Sequence, residues 1–128
     1  MSAGALKPLR RPYLWLGAWL LAVLVVCVAS LTPPPPMELP RHGDKVEHFL
    51  AYALLAASAV QVFRPGRLLW IVGIGLVLMG VGLEFAQGAL TETRMADPAD
   101  AVANATGVLA GLLTARTRMR DLLLRRGG

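Results

Sequence analysis

The chain has 128 residues, of which 55% are hydrophobic and 16% charged, whereas a soluble domain carries about a quarter charged residues. The formal charge of +5 does not describe a nucleic-acid face, because the basic residues flank apolar runs as membrane anchors do. Those runs are four in number and each approaches the roughly 20 residues that cross a bilayer, which leaves no room for a separate soluble domain.

The first twelve residues carry Lys7, Arg10 and Arg11 and read as a cytoplasmic N-terminal segment. Residues 13–31 form the first apolar run, predicted to be a transmembrane helix. A cleaved signal peptide is the rival reading, since basic residues precede the run and Ala29 and Ser30 lie near its end. The run is longer than a signal-peptide core, and four prolines, Pro33 to Pro36, stop it by denying a helix its donors. Residues 32–45 make a polar, proline-rich connector on the outer side. The single cysteine, Cys27, lies inside the first run and has no intramolecular partner.

The second run spans Val46 to Phe63 and ends in the turn Arg64-Pro65-Gly66-Arg67; the third runs from Leu68 to about Leu90. A polar loop, Thr91 to Asp97, precedes the fourth run from Pro98 to about Ala115. Asp44 with Glu47 resembles a capping box at the second helix. Asp97-Pro98-Ala99-Asp100 supplies a cap, a proline at the first helical position and an acid in the first turn. Residues 116–128 form a basic tail that reads as a cytoplasmic topology determinant touching anionic lipid. Placing both termini inside puts ten lysines and arginines in the cytoplasm against Arg41, Lys45 and Arg94 outside, as the positive-inside rule favours. The expected fold is an all-α polytopic bundle of about four transmembrane helices, N-in and C-in, in the inner (cytoplasmic) membrane.

Polar residues within these runs share one level. Lys45, His48 and Tyr52 recur at i, i+3 and i+7 on one face of the second helix. Glu84 lies about 24 Å along the third span at a rise of about 1.5 Å per residue, with Gln87 one turn on, and Asn104 lies roughly 10 Å inward from Asp97. Such residues face a bundle interior or a watery cavity, because lipid exposure costs several kcal/mol. Glycines 73, 75, 80 and 82, with the Gly107-x-x-x-Gly111 pair, favour close helix contact and association with a second copy. Trp15, Trp19 and Trp70 read as ordinary membrane aromatics.

Each polar residue has two readings. His48 is a general base or head-group ligand, or a buried imidazole satisfied by Glu84 or Asp100. Glu84 is a proton acceptor, or a structural partner of Arg94, His48 or Lys45. Arg94 and Lys45 hold a phosphate or carboxylate, or pair with neighbouring acids. Asn104 orients a substrate or bonds across to another helix. His48, Glu84 and Asp100 are thus the candidates for proton handling. Lys45, Tyr52, Gln87, Arg94 and Asn104 are candidates for substrate binding, and Asp44, Asp97 and Gly107 for structure. No zinc-ligand spacing, nucleotide loop or serine-nucleophile motif occurs. Three acids with one histidine could hold a divalent cation through oxygen, but neither metal nor cofactor is expected.

The pattern Asp44-Lys45-x-x-His48-Phe49-x-x-Tyr52, then Glu84-x-x-Gln87, then Arg94-x-x-Asp97-x-x-Asp100-x-x-x-Asn104-x-x-Gly107 resembles the VanZ-like family. The likeness covers about residues 40–115 and makes 46–115 its three-helix core. The aromatic-Pro-Gly often found before the arginine is absent, and Gly88 to Thr93 stand there instead. The family is named for a teicoplanin-linked accessory protein of glycopeptide resistance, and its members also occur outside resistance clusters. The resemblance implies an envelope membrane protein whose partners are membrane lipid or a lipid-linked cell-wall precursor. Whether such a protein is an enzyme or a non-catalytic structural or partner-binding module stays open at this point.

Overall fold

The computed structural model describes residues 3–32, 43–90 and 97–128, with side chains from Gly4 and Lys45 onward in the first two stretches. The described residues are helical throughout, apart from turns and one isolated antiparallel bridge between Leu6 and Phe63. Four long helices follow one another: α1 (Pro12–Leu31), α2 (Gly43–Val62), α3 (Arg67–Leu90) and α4 (Pro98–Leu113). Two 3-10 turns, Thr114–Arg116 and Arg118–Asp121, lead into a single helical turn, α5 (Leu122–Arg125).

Helices α1 and α3 are long and apolar enough to cross a membrane by length and composition. Helix α4 has 16 residues, about 24 Å at the helical rise, and α2 opens on the charged turn Asp44-Lys45-x-Glu47. The sequence borders hold to within a residue or two except at α2, which is already helical at Gly43. Asp44 therefore lies inside the helix and is not its N-cap. At α4 the cap chemistry is as read: Asp97 is extended and its Oδ1 accepts from the Ala99 amide at 2.9 Å, with Pro98 next. The turn between α2 and α3 is closed by Gly66 at φ 125°, a conformation glycine adopts without steric cost.

Helices α2 and α4 form the closest pair. A Cβ at Gly107 would run into the Phe49 carbonyl and lie 3.1 Å from the Ala53 nitrogen; at Gly111 it would lie 2.6 Å from the Ala56 Cβ and 2.7 Å from the Ala57 nitrogen. Backbone thus rests on backbone, which small residues make possible. Of glycines 73, 75, 80 and 82 on α3, Gly73 and Gly80 serve this purpose, against Leu112 and against Tyr52 with Asn104. Gly75 and Gly82 face open space, so half of the expected glycine contacts on this helix are absent. Helix α1 buries no residue. It is tied on by Trp19, whose Nε1 donates to the Leu55 carbonyl at 2.9 Å and whose ring meets Phe63 edge-on at 5.2 Å. Trp19 is therefore an interhelix bond and not merely a membrane aromatic.

The segment before α1 is not a free tail. Leu6 and Leu9 are buried, the Lys7 amide donates to the Val62 carbonyl at 2.9 Å, and the Arg64 amide donates to the Ala5 carbonyl at 3.0 Å. The Lys7 ammonium is 5% exposed, pairs with Asp121 at 3.0 Å and donates to the Arg120 carbonyl. The basic tail also folds back: Gln61 donates to the Met119 carbonyl at 2.6 Å and accepts from the Leu123 amide at 2.9 Å. The hydrogen bond from Lys7 is the main cause that holds the Asp121 carboxyl below its usual range. Because that pKa is depressed by folding, the pair's contribution is full above the ordinary value of 3.8 and is lost as pH falls through the lower folded value. Wild type should therefore melt higher than Asp121→Asn in detergent at about pH 7, and the two should converge as pH falls through that lowered folded value.

The surface inverts the usual rule. Leucines 20, 24, 54 and 78, Ile74, Phe85 and Val102 are exposed, whereas Glu84, Gln87, Asp100 and Asn104 are buried.

Candidate functional site

Apart from Lys7, the buried polar residues gather where α2 and α4 begin and α3 ends. Tyr52, Glu84, Gln87, Asp100 and Asn104 are all at most 7% exposed. Their spacing explains the convergence: Lys45, His48 and Tyr52 occupy one face of α2, Asp100 and Asn104 are one turn apart on α4, and Glu84 and Gln87 one turn apart on α3.

Asp97 organises the rim. Its Oδ2 takes a salt bridge from Lys45 at 3.1 Å while its Oδ1 caps α4. The hydrogen bond from Lys45, with that from the Ala99 amide, holds the Asp97 carboxyl below its ordinary range. Lys45 also reaches Asp100 Oδ1, at 3.5 Å. Below the rim, Glu84 Oε1 accepts the Asp97 amide at 2.5 Å, joining the end of α3 to the start of α4. This acceptor role differs from the partners Arg94, His48 and Lys45 that the sequence suggests.

His48 lies beneath Lys45 with its ring mostly covered. Its Nδ1 is 3.1 Å from Asn104 Oδ1, and its Nε2 faces Asp100 Oδ2 at 4.0 Å. An amide oxygen only accepts, so this contact places the proton on Nδ1 and turns Nε2 toward the carboxylate. One ligating atom each from His48, Glu84 and Asp100 lies within 4.8 Å of the others. Two buried polar atoms here have no hydrogen-bond partner among the described residues: Tyr52 Oη and Asp100 Oδ1. For Asp100 Oδ1 the 3.5 Å approach of Lys45 is an ion pair only.

Of the substrate-binding candidates, Lys45, Tyr52 and Asn104 belong to this cluster. Gln87 is turned toward α1, where its Nε2 donates to the Ser30 carbonyl at 2.9 Å. Gly107 acts through backbone packing, one turn below Asn104. Arg94 and the side chain of Asp44 lie outside the described residues. Gly80, one of the glycines expected to allow close helix contact, leaves by its absent side chain the notch shared by Tyr52 and Asn104. Sequence reading misses the Ser30 carbonyl, because a backbone acceptor near a helix end has no side-chain signature.

No protein-family model matches the chain, and no curated protein or solved structure matches it.

Proposed function

We propose that the chain is a VanZ-like protein of the inner membrane, with four transmembrane helices, both termini in the cytoplasm, and a polar site facing outward. The site recognises or modifies an amphiphilic envelope molecule: a lipid-linked cell-wall precursor or a phospholipid head group. One observation carries this reading. Side chains from three helices gather into a buried cluster at one end of a bundle whose surface is leucine, valine and isoleucine. A soluble protein would pay several kcal/mol to place charge inside and leucine outside, whereas lipid makes the same arrangement favourable. The clustering of Lys7, Arg64, Arg67 and Arg120 at the opposite end supports the assigned orientation.

In an enzyme, His48 Nε2 would accept a proton, Asn104 would fix its tautomer, and Lys45 would neutralise an anionic group. Any link to teicoplanin resistance would follow from altered handling of the same precursor. The test is mass spectrometry of membrane lipids and lipid-linked precursors in cells expressing wild type, His48→Ala or neither, with folded protein matched by detergent melting. A species that changes with wild type and reverts with folded His48→Ala is the expected result. Full retention of the change by His48→Ala would remove His48 from the reaction.

A second reading, a structural or partner-binding module, draws on the mutual pairing of Lys45, Asp97, Glu84, His48 and Asn104. It requires His48→Ala and Glu84→Gln to lose stability in step with function. Loss of function at unchanged stability counts against it.

A further inference from the structure

We infer that His48 Nε2, Glu84 and Asp100 form a binding site for one divalent transition-metal ion. The inference deepens the proposed function by replacing the proton-accepting role of His48 Nε2 with a ligand role, and it rests on that reading only for what the ion would meet from outside.

Three features point to a cation. First, His48 Nδ1 lies 3.1 Å from Asn104 Oδ1, which turns Nε2 toward Asp100 Oδ2 across 4.0 Å, too far for a hydrogen bond. That gap is wide enough for a cation to sit between the ring nitrogen and the carboxylate and be held by both. A histidine whose second nitrogen donates to a carbonyl is also how metal-bound imidazoles are oriented. Second, Asp100 Oδ1 and Tyr52 Oη are buried without a hydrogen bond. Asp100 is nine-tenths buried and turned into the cluster; the Tyr52 hydroxyl lies within electrostatic reach of Glu84. Third, the cluster is rich in oxygen ligands. Three carboxyl groups, those of Glu84, Asp97 and Asp100, meet the ammonium of Lys45 and the ring of His48 among the described residues of the cluster.

The donors come one from each of α2, α3 and α4, with their ligating atoms within 4.8 Å of one another. Donors bound at about 2.1 Å to one ion lie roughly 3–4 Å apart, so the site closes with side-chain shifts of about 1 Å. One imidazole with two carboxylates suits zinc, iron or manganese better than calcium or magnesium. Three protein ligands leave coordination positions free, as in sites where a metal holds water or a substrate oxygen. A phosphate or pyrophosphate oxygen of a head group would take that position. The sequence conceals the site because the ligands lie 36 and 16 residues apart, with no short metal spacing.

The test is zinc titration of the full chain, purified in detergent and stripped with a chelator, followed by calorimetry and thermal melting. Wild type should bind about one equivalent and melt higher with zinc. His48→Ala and Asp100→Asn should each weaken binding by at least about tenfold, as should Asn104→Ala, which keeps all three ligands but frees the ring. Asp121→Asn, at the other end, should bind as wild type does. Absence of saturable zinc binding by folded wild type overturns the inference, and so does wild-type affinity in folded Asp100→Asn. Zinc binding with no change in any lipid species would remove the envelope substrate and keep the metal. A lipid change without zinc binding would do the reverse.

Discussion

Replacing Gly111 with leucine should prevent α2 and α4 from docking, and even Gly111→Ala should lower stability by about 2 kcal/mol. The added Cβ meets the Ala53 carbonyl, the Ala56 Cβ and the Ala57 nitrogen, the last two at 2.6 and 2.7 Å. Two of these three are backbone, which cannot rotate away, so the helices must separate and release the contacts along their whole seam. The polar cluster spans that seam: His48 is on α2, and Asp100 and Asn104 are on α4. The same substitution should therefore disperse the site without touching any of its residues. Gly82→Ala is the control. Nothing lies within 4 Å of a Cβ there, and alanine favours a helix by up to about 1 kcal/mol over glycine. Detergent or denaturant unfolding of the three proteins gives the comparison, and equal stability of Gly111→Leu and wild type would refute the packing argument.

The second large effect is expected at Leu6, in a segment that the sequence presents as an anchor outside the bundle. Leu6 is 1% exposed and shares a cluster with Phe63, Val60 and Leu69, and it is held by the backbone bonds that flank it on either side. Leu6→Ala should cost about 3 kcal/mol, the transfer of the lost atoms plus the cavity that stays behind. The neighbouring Pro8→Ala, at an exposed position, should change little. Deletion of residues 1–9 should reproduce the loss and leave α1 attached mainly through Trp19. A truncated protein that melts with wild type would show the segment to be dispensable.

These two sites mark what the sequence discloses and what it hides. The helices follow from run length and hydropathy, and their ends from Asp97-Pro98 and Pro65-Gly66, because caps and turns depend on near neighbours. The level shared by His48, Glu84, Asp100 and Asn104 follows from a fixed rise per residue. Pairing within the level does not, since it depends on how α3 and α4 rotate about their axes. Hence the carboxylate of Glu84 reaches a backbone amide that no side-chain inventory would propose, and Gln87 turns to α1. The docking of Leu6 and Leu9 escapes notice for a related reason: two leucines among basic residues have no periodicity, and the cluster of Val60, Phe63 and Leu69 that receives Leu6 is assembled only by folding. The exposed glycines 75 and 82 are the converse case, where a small-residue pattern suggests a contact that helix rotation withholds.

The pairing of Lys7 with Asp121 has a consequence for the order of events during synthesis. Under the proposed topology Lys7 leaves the ribosome long before Asp121, with every membrane helix translated in the interval. Throughout that interval its ammonium is a free cytoplasmic charge, available to orient α1 as it enters the bilayer. Only when the last turns of the chain emerge does its carboxylate partner arrive, and the segment can then swing under the bundle and close it. One residue would thus act first as a signpost and afterwards as a latch, with the length of the chain as its timer.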